Sequence, residues 1–101
     1  MEIKVSELKI ILDRLLNHLV EGDIESIHID NDYYWHIPSE ELFDPYKKPN
    51  ELNLGQLSDD WHDLQKVANG TNAPLISDLV DLAAILRAIG ELGEEYLFTH
   101  D

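Results

Sequence analysis

Apolar residues arrive along this chain at two different spacings, and the switch between them decides the fold class. In residues 6–21, SELKIILDRLLNHLVE, Leu8, Ile11, Leu12, Leu15, Leu16 and Leu19 recur at three- and four-residue steps. Those steps put them on one stripe of a helix, with Asp13, Arg14, Asn17 and His18 turned away. Ser6 stands where an N-cap belongs, Glu7 opposes the positive end of the helix dipole, and Gly22 is a natural stop. Ile10 alone projects on the polar side. From residue 24 the step shortens to two. In IESIHIDNDYYWHI, Ile27 and Ile29 alternate with His28, and Tyr33, Trp35 and Ile37 alternate with Tyr34 and His36. Alternation on β-branched and aromatic residues marks a half-buried strand, and DND is turn chemistry. The spacing predicts a β-hairpin. Its Ile27, Ile29, Tyr33, Trp35 and Ile37 face packs on helices, and its His28, Tyr34 and His36 face looks out.

Residues 38–57, PSEELFDPYKKPNELNLGQL, contain three prolines and a glycine. They predict a single helical turn from Pro38 through Phe43, ended by Pro45, and then a long connection holding Lys47-Lys48. A second long helix is expected over 58–69, with Ser58 as N-cap and Asn69-Gly70 as stop. A third is expected over 74–89, with Pro74 in its first turn. Its wide apolar arc, from Leu75 and Ile76 to Leu86 and Ile89, suits a helix touched on two sides. The tail EEYLFTHD fits a helical extension or a short edge strand. The expected architecture is one α+β domain, residues 1–101: N-terminal helix, β-hairpin, long loop, and two C-terminal helices packed on one sheet face.

Charge and composition narrow the function classes. The 101 residues include no cysteine, which removes disulfide frameworks, thiolate catalysis and cysteine zinc sites. A formal charge of −14 is spread along the chain: residues 1–50 hold 5 basic and 11 acidic groups, and residues 51–101 hold 2 and 10. Such a field repels nucleic-acid phosphates and anionic membranes and attracts basic proteins. No apolar run approaches the roughly 18 residues that would span a bilayer, and the N-terminus MEIKVSELKI lacks the pattern of a signal peptide. The expected compartment is the cytoplasm.

The stretch GQLSDDWHDL, residues 55–64, crowds three aspartates and a histidine around a tryptophan. At about 100° per residue, Leu57, Trp61, Leu64, Val67 and Ala68 gather on one side, and Asp59, His62, Asp63 and Lys66 on the other. The polar groups diverge, so the stretch reads as a helix opening with acids at its positive end. Asp60 is the exception. It points toward the core edge and needs donors there, from its own helix start or from Arg87. The five histidines show no HxH or HExxH spacing, and no P-loop, GxSxG or GxGxxG occurs. His28 and His36, on one hairpin face, together with His62 and nearby aspartates are the candidates for a metal-dependent enzyme. A structural homodimer through the third helix or Ile10 is a further alternative. The leading expectation is a non-enzymatic module without cofactor or metal, in which aromatic anchors among acids select a basic protein partner. Its candidate contacts are Tyr34, Tyr46, Glu40, Glu41, Asp59 and Asp63.

The run YYWHIPSEELFDPYKKPNELNLGQLSDDWHDLQKV, followed by LAAILRAIGE, resembles small uncharacterised bacterial proteins with a W-x-[IV] strand, a loop and a GQLSDDW-like helix start. Here those parts are Trp35 to Ile37, the 38–54 loop and Gly55 to Trp61. The resemblance covers residues 33–91 and implies kinship without an activity. By size, acidity and lack of cofactor motifs the chain is also similar to immunity proteins of bacterial toxin systems, which implies inhibition of a basic toxin or nuclease.

Overall fold

A computed structural model of the chain describes residues 1–99. The elements follow in the order α1 (Val5–Glu21), β1 (Tyr33–His36), α2 (Ser39–Leu42), β2 (Asn53–Gln56), α3 (Leu57–Ala68), α4 (Asp78–Leu92) and α5 (Glu94–Thr99). The fold is α+β, with an N-terminal helix, a two-stranded antiparallel sheet and two long C-terminal helices. The tail is helical as far as Thr99, and His100 and Asp101 lie outside the described residues. Among the described residues no helix is long and apolar enough to cross a membrane. The chain divides into two compact units, Met1–His28 with the segment from Leu92, and Ile29–Glu91.

In the first unit the leucine stripe forms α1. The helix begins one residue before the expected Ser6 cap. Lys4 holds the cap position without a side-chain bond, and its carbonyl accepts the Glu7 and Leu8 N–H groups at 3.1 Å each. At the far end Gly22 follows, but its φ of −85° is open to any residue, and the left-handed position is Asp23 at φ 61°. Gly22 is required for room: a Cβ there would run into the Phe98 ring of α5. His18 meets the same ring edge-on at 5.1 Å between centroids, and its Nε2 lies 3.3 Å from Glu94 Oε1. Leu12 and Leu19 are half-buried, and the rest of the stripe is exposed.

In the second unit β1 and β2 pair with Tyr33 opposite Gln56, Tyr34 opposite Gly55, Trp35 opposite Leu54 and His36 opposite Asn53. The strand pairing and the buried face both differ from the sequence pattern. The partner of β1 is Asn53–Gln56 and not the Ile27–Ile29 stretch, which forms no strand. The backbone after α1 is turned by Asp23, with the Ile24 N–H on Leu19 O at 3.1 Å, and Ile27 falls in the first unit while Ile29 falls in the second. The faces of β1 are also reversed: Tyr34 and His36 are half-buried, and Tyr33 and Trp35 are exposed. Because the period is two, the choice of face moves every side chain together. Here Gly55 leaves room for the Tyr34 ring, while Trp35 stands opposite the larger Leu54.

α3 starts at Leu57, one residue before the expected Ser58, and ends at Asn69 with Gly70 left-handed at φ 81°, as the sequence predicts. Its first turn is capped from a distance by Asp32. The Leu57 N–H donates to Asp32 O at 2.7 Å, the Ser58 N–H to Oδ1 at 2.7 Å, and the Ser58 hydroxyl and Gln56 Nε2 to Oδ2 at 2.8 Å each. α4 starts four residues later than Pro74 suggests. The Asp78 carboxylate reaches back to accept the Leu75 N–H at 2.7 Å, across the turn that precedes the helix. The helix runs through Gly90 and stops at Gly93, left-handed at φ 82°. The buried apolar residues are Leu57 and Ile85, with Leu64, Val67, Leu82, Leu86 and Ile89 half-buried.

Candidate functional site

The β1–β2 ladder sorts its side chains into two chemically different faces. On the inner face the Tyr34 ring lies over Gly55 so closely that a Cβ on the glycine would overlap it. That position aims the phenol at α3, where its hydroxyl donates to Asp60 Oδ2 at 2.6 Å. Asp60 therefore points to the core edge as its helical direction predicts, but its donor is Tyr34. The expected Arg87 partner is elsewhere, with its Nε 3.4 Å from Glu91 Oε1 on the exposed side of α4. Burial, and then the bond to Asp60, push the Tyr34 phenol well above the usual range.

Asp81 of α4 joins the same cluster. Burial raises its carboxyl, followed by repulsion from Asp60 and Asp63, the hydrogen bond to Asp60, and the charge of Asp78. In the folded state Asp81 holds its proton to higher pH than in the unfolded chain. The stability it contributes is therefore present in acid and lost as pH rises through the raised value. Replacing Asp81 with asparagine keeps a donor for Asp60 and removes the charge. The variant is expected to melt a few degrees higher than the parent at neutral pH. Its advantage should vanish on mild acidification, and thermal melts across that range check it. Equal melting temperatures at neutral pH would count against the crowding of charge.

The outer face carries Tyr33, Trp35, Leu54 and Gln56. Trp35 and Leu54 are ladder partners and are 66% and 65% exposed, and Gln56 Nε2 donates to the Tyr33 hydroxyl at 3.4 Å. In the connection between the strands Phe43 and Tyr46 are also exposed, the latter by 95%. Its shape is set by carboxylates. Asp44 Oδ1 accepts the Tyr46 N–H at 3.2 Å, and Glu41 Oε2 accepts the Asn50 and Glu51 N–H groups at 3.0 Å each.

Of the six residues expected at a partner surface, Tyr46, Glu40, Asp59 and Asp63 are exposed. Glu41 is half-buried and staples the loop, and Tyr34 is bound to Asp60. Trp35 and Leu54 stand on the outer face instead. The alternation in the sequence sends Tyr34 and Trp35 to opposite faces, and the Gly55 that decides which of them turns inward meets Tyr34 only across the ladder. His28 and His36 are not cross-strand neighbours, since His36 pairs with Asn53 and residue 28 lies outside any strand. His62 lines a shallow depression with Gln65, Lys66, Ala68 and Asn69. Among the described residues no three His, Asp or Glu side chains are grouped to hold a metal ion. No family model, curated protein or solved structure matches the chain.

Proposed function

We propose that this protein is an acidic, non-enzymatic binding module that takes a basic protein on the outer β1–β2 face and the adjoining loop. The inhibitory binding of a toxin or nuclease by a cytoplasmic immunity-type protein is the activity this reading implies. The observation that carries it is the exposed Trp35–Leu54 pair on a two-stranded sheet. Large apolar side chains left open together mark association sites, and aromatic anchors supply most of the binding energy of such surfaces. Exposed Phe43 and Tyr46 offer further aromatic anchors, and exposed Glu40, Asp59 and Asp63 supply charge that selects a basic partner. The net charge of −14 then speeds encounter through long-range attraction.

The test is association with the basic product of a gene adjacent to its own, followed by stopped flow at rising salt. The association rate is expected to fall by about tenfold or more between low and high ionic strength. Trp35→Ala is expected to weaken affinity by about 30-fold, as for a central anchor. Binding indifferent to both salt and Trp35 would overturn the reading.

A further inference from the structure

Asn69 and Gly70 close α3, and both are exposed. The chain has six asparagines, followed in sequence by His18, Asp32, Glu51, Leu54, Gly70 and Ala73. An asparagine side-chain amide can be attacked by the backbone nitrogen of the next residue. A side chain on that next residue hinders the approach, so the asparagine before a glycine reacts most readily. Only Asn69 stands in that place. The space beside it is clear, with nothing within 4 Å of where a Cβ on Gly70 would be.

In the folded cap this attack is held off. Asn69 sits at φ −89° and ψ 2°, a helix-like setting. Ring closure needs the peptide between 69 and 70 rotated far from that angle, so that its nitrogen faces Asn69 Cγ. Three bonds resist the rotation. The Gly70 N–H donates to Val67 O at 3.2 Å, the Asn72 N–H to Lys66 O at 3.0 Å, and the Thr71 N–H to Asn69 Oδ1 at 2.9 Å. The first two tie down a helix end, where local opening costs least. All three lie within residues 66–72, so the gate is local.

We propose that Asn69 is a site of intramolecular deamidation, opened by fraying of the last turn of α3. With the turn open, the Gly70 nitrogen gives its proton to hydroxide and adds to Asn69 Cγ. The new C–N bond closes a succinimide ring. The Cγ–Nδ2 bond breaks, and the nitrogen leaves as ammonia after taking a proton from water. Water then opens the imide at either carbonyl, giving aspartate or iso-aspartate at position 69. Either product sets a carboxylate at the negative end of the helix dipole, in the depression that this position lines with His62 and Lys66. The iso-aspartyl product also inserts a carbon into the main chain, out of step with the bonds to Val67 O and Lys66 O. The reaction needs only water and is independent of binding on the β1–β2 face.

Peptide mapping by mass spectrometry, on the full chain kept at mildly alkaline pH, tests it. Asn69 is expected to show the mass gain of amide-to-acid conversion ahead of the other five asparagines, as two chromatographically separate products. The same conversion should run several-fold faster in guanidinium chloride, where the turn is already open. Gly70→Ala should slow it several-fold in guanidinium chloride, a comparison that does not depend on how the variant folds. In the native chain the variant is a harsher check, because alanine at φ 81° strains the cap and favours its opening. Conversion at another asparagine ahead of Asn69 overturns the proposal. So do equal rates in the native and unfolded chains, or a Gly70→Ala chain that converts as fast as the parent in guanidinium chloride.

Discussion

Gly55→Ala is expected to destabilise the second unit by about 2–4 kcal/mol, combining overpacking with the loss of a hydrogen bond to a carboxylate. The new methyl group would occupy the space of the Tyr34 ring. The ring has no neutral way to yield, because its hydroxyl is fixed on Asp60 at 2.6 Å. Lifting the ring breaks that bond and leaves the Asp60–Asp81 pair without its phenol donor. A double-mutant cycle checks the cause. With Tyr34→Ala already present, Gly55→Ala should cost nothing or gain slightly, since alanine suits a strand better than glycine does. Urea unfolding followed by tyrosine near-ultraviolet dichroism reads both arms. An equal cost in the two backgrounds would show that the ring is not what the methyl meets.

The same glycine shows why the sheet was only partly legible in the sequence. The helices were written locally: the Leu8–Leu19 stripe, Asn69-Gly70 and the acids at residues 59–60 each act within one or two turns. The strand at 33–36 was also legible, because consecutive aromatic residues favour extended backbone. Its partner was not, since Ile27–Ile29 offers a better local alternation than NLGQ does. That preference loses to Asp23, which turns the chain as it leaves α1, and to the Asp32 bonds, which hold the residues before β1 beside those after β2. Which aromatic turns inward is likewise decided across the ladder, by the space over Gly55 and by the donor that Asp60 needs. A pattern of period two fixes the two faces as sets but not which set is buried. The site turns on the same choice: the local pattern sets Tyr34 on the surface and Trp35 in the core, and the ladder exchanges them.

Asp32 is the residue whose loss should be felt most widely, although the sequence presents it as one letter of a turn. Its carboxylate takes the Ser58 N–H, the Ser58 hydroxyl and the Gln56 amide, and its backbone carbonyl takes the Leu57 N–H. It thereby satisfies the first turn of α3 and ties the approach to β1 to the end of β2 through one residue. Substitution by alanine leaves those donors to water and releases the start of α3 from the approach to β1. The melting temperature is expected to drop by several degrees, and by more than for Ser58→Ala, which removes only one of the carboxylate's bonds. The acid limb identifies the mechanism. The Gln56 bond, then the Ser58 hydroxyl and the Ser58 N–H, hold the Asp32 carboxyl below its ordinary value. Its contribution is therefore complete above that ordinary value and is lost as pH falls through the lower, folded one. This runs opposite to Asp81, which gains on acidification. The parent should grow more stable from neutral to mildly acidic pH and then lose stability steeply, and Asp32→Ala should keep the gain while lacking part of the loss. Asp32→Asn should melt between the two at neutral pH, because its one amide oxygen can still accept the Ser58 N–H, and its acid limb should match that of Asp32→Ala because neither carries the carboxyl. Unchanged acid limbs in both variants would show that α3 is capped without Asp32.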